Sequence, residues 1–286
     1  MFNKIKSKLS YEKYTPLVYD INLRNAYLSS SVCGGTLKGK RVLISGATGG
    51  IGLALAERYA SEGSILYLIG RNKEKLEDTS KAVNEIYNHS EIHQLCFDLM
   101  NSSTAEENIN HVFDNSGIDI FISNAGVFFK NDQQRVFRSY SQEEFQQSWS
   151  LNVQANCHIC GHVAERMKEK GIHGKIVIIS SICAQQQKFQ YTPYGMSKAV
   201  LLEYSNLLQE MYPDLDIITV LPGAVATKMG NYKMGDNVSA EGNQLNHVIL
   251  PEEIASISAF FSSEISSYLN GGGGDCPKTN SLTSSC

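Results

Sequence analysis

Tyr194 and Lys198 stand four residues apart in the run Tyr-Gly-Met-Ser-Lys, and Ser181 lies thirteen residues before the tyrosine. On a helix, i, i+4 spacing puts a phenol and an ammonium on one face. An ammonium beside a phenol favours the phenolate, so the pair is expected to lower the tyrosine pKa towards neutrality and supply an acid/base group. A surface tyrosine and lysine sharing a helix would show the same spacing, so the neighbouring elements decide. Residues 175–181 form a near-continuous apolar run, Lys-Ile-Val-Ile-Ile-Ser-Ser, which predicts a central parallel strand with a hydroxyl at its C-terminal end. That end is where open α/β sheets bind ligands. Ser180 is a rival to Ser181, but alternation along a strand is expected to send the two hydroxyls to opposite faces.

A second feature says where a ligand would lie. Residues 41–45 read as a buried strand and 51–61 as an amphipathic helix, so Gly46-Ala47-Thr48-Gly49-Gly50-Ile51-Gly52 is a strand-to-helix turn. Such a turn offers free N–H groups and the positive end of a helix dipole to a pyrophosphate. Tight turns of this kind also occur with no ligand, so the glycines alone decide little.

Taken together, these residues resemble the short-chain dehydrogenase/reductase family, in its short single-domain form, over roughly residues 39–263. Ser45 stands at the threonine of the family's Thr-Gly-x-x-x-Gly-x-Gly turn, followed by Gly46, Gly50 and Gly52, with Thr48 and Ile51 between them. Ser123-Asn124-Ala125-Gly126 matches Asn-Asn-Ala-Gly with a serine in its first place. Asn152 falls at the family's asparagine, completing a tetrad with Ser181, Tyr194 and Lys198. Pro222-Gly223, with Val225 and Thr227, matches the loop that closes over the nicotinamide, and Asp98, with Leu99, the adenine contact. The resemblance implies hydride transfer between a nicotinamide and a carbonyl or alcohol. Ser181 would hold the substrate oxygen and Tyr194 would exchange its proton. Lys198 would depress the tyrosine pKa and hold the ribose, and Asn152, at a break in its helix, would hold a relay water. Where an acidic residue would select NAD(H), the second strand instead ends in Gly70-Arg71. A guanidinium grips a 2′-phosphate through two hydrogen bonds, so NADP(H) is expected over NAD(H).

The rest of the 286-residue chain fits one doubly wound Rossmann-type α/β domain: a parallel sheet of six or seven strands with three helices on each face. Strands are expected near 41–45, 65–69, 92–97, 119–122, 175–180 and 216–221. Helices are expected near 50–62, 72–88, 102–116, 141–170, 193–212 and 251–263. A net charge of −4 gives no footprint for nucleic acid. No apolar run reaches membrane-spanning length and no signal-peptide core begins the chain, which predicts a cytoplasmic protein. Of seven cysteines, Cys96 is expected inside a buried strand and Cys183 near the site, with reduced thiols. Cys157, Cys160 and His162 share a helix with no second pair to complete a ligand set, so no metal is expected.

Three segments are expected, 1–38 as an N-terminal extension, 39–270 as the catalytic domain and 271–286 as a disordered polar tail. In the extension, Phe2, Ile5 and Leu9 share a helical face among lysines, and Leu17, Val18, Tyr19 and Ile21 could pack as an added strand. The tail lacks the apolar last strand through which the family builds tetramers. That argues against a tetramer and leaves a homodimer through the long helices after Asn152 and Tyr194. Met229, Tyr232 and Met234 on one side, and Gln187, Phe189 and Gln190 on the other, are candidates to line a substrate cleft. A small carbonyl or alcohol substrate is expected. The competing readings are a non-catalytic dinucleotide-binding regulator or scaffold, and a sugar epimerase or dehydratase, which would need a longer C-terminal domain.

Overall fold

The computed structural model describes residues 35–88, 90–129, 141–185, 192–229, 248–267 and 281–283. From the N-terminus, β1 (Arg41–Ser45), α1 (Gly50–Ser61), β2 (Ile65–Gly70), α2 (Lys73–Ile86), β3 (Ile92–Cys96), α3 (Ser102–Asn115) and β4 (Ile120–Ser123) form the first half. The second half holds α4 (Gln142–Trp149), a π-helical turn (Ser150–Ala155), α5 (Asn156–Glu169), β5 (Lys175–Ile179), α6 (Thr192–Met211), β6 (Asp216–Leu221), α7 (Pro251–Ser262), α8 (Glu264–Ser267) and β7 (Ser281–Thr283).

The seven strands order as β3-β2-β1-β4-β5-β6-β7, all parallel. β1, β4 and β5 are buried on both faces, which is why their sequences run apolar without alternation. One core lies between the sheet and α1, α2 and α7, through Leu55, Tyr59, Leu76 and Ile254. The other lies between the sheet and α3, α5 and α6, through Ile109, Ile159 and Leu201. Side-chain caps set the helix starts: Asn72 accepts from Lys75 N–H, Asn101 from Thr104 N–H, and Ser141 forms a reciprocal capping box with Glu144. At the opposite end of the sheet from the glycine turn, the Arg41 guanidinium takes both oxygens of Asp119 at 2.7 Å, tying β1 to the start of β4.

Four sequence expectations change. The helix expected over 141–170, with a break at Asn152, is continuous and under-wound into a π turn at 150–155. Cys96 is exposed rather than buried, because β3 is the edge strand and none of its residues is fully covered. In the tail expected to be disordered, Ser281–Thr283 pairs with Thr219–Leu221 as a seventh strand, which polar residues can do because the ladder uses backbone groups alone. Leu37 is fully buried in the first core and Ser64 Oγ donates to its carbonyl, so ordered packing begins just ahead of residue 39. The apolar residues singled out in the extension lie outside the described residues. No helix among those described is long and apolar enough to cross a membrane.

Candidate active site

The C-terminal ends of β1, β4 and β5 meet the start of α6. Ser181 follows β5 and caps a short 3-10 turn, Ile182–Ala184, its Oγ accepting from Cys183 N–H at 3.2 Å. Ile182 N–H donates to Pro222 O at 2.9 Å, which ties this turn to the segment after β6. The Ser181 side chain stands close enough to the Tyr194 phenol to favour its ionisation. One turn further along α6, Lys198 Nζ donates to Ile179 O at 2.9 Å and lies over the Tyr194 ring, 5.7 Å from its centroid. Phe128 meets the same ring edge-on, with centroids 5.0 Å apart. Ser181, Tyr194 and Lys198 therefore converge. Ser180 is buried and its hydroxyl donates to Lys198 O at 2.9 Å, so it is committed to the α6 backbone and is no rival to Ser181.

The pKa of Tyr194 moves opposite to the expectation. Burial pushes the phenol above its ordinary value, the Cys183 thiol adds to the rise, and Ser181 only partly opposes it. Lys198 is 4% exposed, and burial lowers it from 10.5 to about 8. Both groups are thus held towards their neutral forms, because desolvation exceeds the attraction of a nitrogen placed over the ring.

Asn152 is fully buried on the π turn. Its Oδ1 accepts from Val127 N–H at 2.8 Å, and its Nδ2 donates to Val127 O at 2.9 Å and to Ser197 Oγ at 3.0 Å. The amide thus holds the chain after β4 at both backbone groups of Val127. Ser45 is committed in the same way: its Oγ, 1% exposed, accepts from both Asn124 N–H and Ala125 N–H at 3.0 Å. Asn124 Nδ2 returns two bonds, to Ser45 O and Gly46 O. Ser45 and Asn124 thus lock β1 to β4 and shape the site through the backbone. A Cβ on Gly126 would stand 3.3 Å from Asn152 Oδ1 and 3.5 Å from Lys198 Nζ, so this loop lies against both.

The glycine turn suits an anion. Gly46 has φ +64°, and a Cβ there would come within 2.9 Å of Ala125 Cα. A Cβ on Gly52 would collide with Gly46 O. α1 has Gly49 at its cap with no side-chain bond and no acidic residue in its first turn, and Gly49 and Gly50 are exposed. Its first N–H groups and the dipole end therefore face outward with nothing negative beside them, which fits a diphosphate. Thr227 stands over Gly50 and brings the 222–227 segment to the same mouth, while Val225 turns into the core and pairs with Ile249. Thr48 packs against Gly70, so the exposed Arg71 follows directly at the rim. Ile51 is half-buried on α1; Asp98 accepts from Met100 N–H after β3, and Leu99 is buried.

Of the cleft residues, Met229 is exposed; Tyr232, Met234, Gln187, Phe189 and Gln190 lie outside the described residues. Cys157 and Cys160 are raised by burial to about 11 and about 12, and no metal-binding cluster occurs among the described residues. Sequence reasoning missed Asn156. It is a buried amide one turn after Asn152, and an i, i+4 pair of asparagines on the face that packs against the sheet was the available signal.

The family model for short chain dehydrogenase matches residues 40–237. The chain belongs to this family. Among short-chain dehydrogenases it is 27% identical, over 245 residues, to the 3-oxoacyl-(acyl-carrier-protein) reductase FabG of Aquifex aeolicus, covering 82% of this chain and 94% of that protein. Levodione reductase superposes with a TM-score of 0.73 at 26% identity, covering 82% of this chain and 94% of the other. L-sorbose reductase from Gluconobacter frateurii, complexed with NADPH and L-sorbose, gives a TM-score of 0.69 at 25% identity, covering 81% and 92%.

Proposed function

We propose that the chain is an NADP(H)-dependent oxidoreductase that reduces a carbonyl, or oxidises the corresponding secondary alcohol, with Tyr194 as the proton donor and acceptor. The observation that carries this reading is the buried Lys198 lying over the Tyr194 ring beside Ser181, at the strand ends where the glycine turn opens. When bound, the nicotinamide supplies or takes the hydride at the carbonyl carbon. Ser181 holds the carbonyl oxygen. Tyr194, kept protonated by burial, gives that oxygen its proton in reduction and takes it back in oxidation. Lys198, with a pKa of about 8, exchanges protons near neutral pH and stands ready to restore the tyrosine. The α1 N-terminus, with Gly50 and Ile51, would hold the diphosphate, and Asp98, Leu99 and Asn124–Gly126 would flank the adenine and the nicotinamide. Pro222, Gly223 and Thr227 would cover the nicotinamide.

Arg71 supports NADP(H) over NAD(H), since it follows β2 where an acid would repel a 2′-phosphate. The bound NADPH of L-sorbose reductase is in keeping with this. Cys96, Cys157 and Cys160 form no disulfide, in keeping with a cytoplasmic setting. The test is binding of NADPH and NADH, read by nicotinamide fluorescence, in the wild type and Arg71→Ala. Tight NADPH binding that weakens about ten-fold in the variant, with NADH unchanged, is expected. A carbonyl screen follows, with Tyr194→Phe as the inactive control. Binding of neither nucleotide overturns the proposal and favours a regulator without catalysis.

A further inference from the structure

Two asparagines one turn apart hold the loop after β4, and only the first belongs to the tetrad. Asn156 Nδ2 donates to Ala125 O at 3.0 Å and to Leu151 O at 2.7 Å, while its Oδ1 accepts from Ser123 Oγ at 2.7 Å. The Leu151 carbonyl lies in the π turn, where the extra residue displaces the helix's own hydrogen-bond ladder, so this amide occupies an acceptor that the bulge exposes. One side chain thereby joins the end of β4, the loop and the π turn. From Ala125, four consecutive residues lead along the chain into the site. Ala125 is bonded to Asn156, Gly126 lies against Asn152 and Lys198, Val127 is gripped at both backbone groups by Asn152, and Phe128 meets the Tyr194 ring. Ser123 occupies the place where the family motif has asparagine, and its hydroxyl needs a partner on the helix. Asn156 is that partner.

We infer that Asn156 is a positioning residue: through its bonds to Ala125 and Leu151 it sets the π turn that aims Asn152 and fixes the 125–128 loop between the cofactor turn and the Tyr194–Lys198 pair. This rests on the proposed function for its kinetic consequence, but not for its structural one. Asn156→Leu keeps the branched shape and removes the amide's donors and acceptor together. Ser123→Ala removes only the hydroxyl and leaves the bonds to Ala125 and Leu151 in place.

Each variant is compared with the wild type in two ways: amide hydrogen exchange at Val127, whose N–H is bonded to Asn152, and NADPH binding by fluorescence. In Asn156→Leu, Val127 loses protection and NADPH binding weakens about ten-fold, as expected for a buried loop losing its tether. In Ser123→Ala both stay within about two-fold of wild type. With a carbonyl substrate from the screen, the inference requires kcat to fall more than KM rises in Asn156→Leu, since the displaced groups contact the reacting pair. If Asn156→Leu does not fold, Asn156→Ser is read by the same measurements. Unchanged Val127 protection and NADPH affinity, in whichever variant folds, overturns the inference and reduces Asn156 to core packing. If the wild type binds neither nucleotide, the proposed function fails while exchange at Val127 still decides the role of Asn156.

Discussion

Lys198→Met separates what the fold gains from what the site requires. Lys198 drops from its ordinary 10.5 to about 8 because it is buried, so the folded protein releases its proton more readily than the unfolded chain. Below pH 8 both states are protonated and the fold carries the full penalty of a buried charge, about 3 kcal/mol at ~1.4 kcal/mol per pKa unit. Between 8 and 10.5 the folded state is neutral while the unfolded chain still binds the proton, so stability rises with pH across that window. Methionine has similar volume and no proton, so the variant lacks this rise. The stability of wild type minus that of Lys198→Met should therefore climb by about 2 kcal/mol from pH 7 to 9.5, measured by urea unfolding. Tyr194, raised by burial, stays neutral throughout and does not blur the difference. At pH 7 the variant should be the more stable protein and have no reductase activity. A difference that stays flat from pH 7 to 9.5 would refute the burial argument and mean that water reaches the ammonium in the fold.

Other outcomes follow from single features. Gly46→Ala forces a side chain into the left-handed region against Ala125 and should cost about 1–2 kcal/mol in thermal unfolding, with weaker NADPH binding. Among the described cysteines, Cys96 should react first with maleimide, as mapped by mass spectrometry, and Cys160, at about 12, last. Tyr59→Phe leaves the buried Ser262 hydroxyl without its 2.6 Å partner and should lower stability by about 1 kcal/mol in urea titration, with NADPH affinity unchanged.

The elements that recur were readable because burial on both faces leaves one kind of sequence: the apolar runs of β1, β4 and β5 announce themselves. Ser181, Tyr194 and Lys198 were equally plain, since one helix and one strand end fix their spacing. The sense of the Tyr194–Lys198 interaction was not, because spacing gives proximity but not desolvation, and here desolvation is the larger effect. Ser45 and Asn124 matched a motif, yet their side chains point into the protein, a direction set by β1–β4 pairing across nearly eighty residues. Cys96 was misplaced because an apolar neighbourhood does not say whether a strand is central or at an edge. β7 was missed because backbone pairing leaves no mark on side-chain composition. Asn156 went unread since a buried amide earns its place only through partners on other elements.

The π turn also has a consequence for how this helix tolerates change. A one-residue deletion anywhere in 150–155 would let the helix close into regular α geometry, satisfying its own backbone at no cost to packing along α5. A π turn absorbs one extra residue without changing the phase of the helix on either side, so the flanking segments would keep their places while the displaced backbone groups returned to the ladder. For a deletion between Asn152 and Asn156 the two amides would stand three residues apart instead of four and could not both keep their hold on the loop. Length in this stretch is therefore a hidden constraint as strict as identity, and variation should appear here as substitutions rather than gaps.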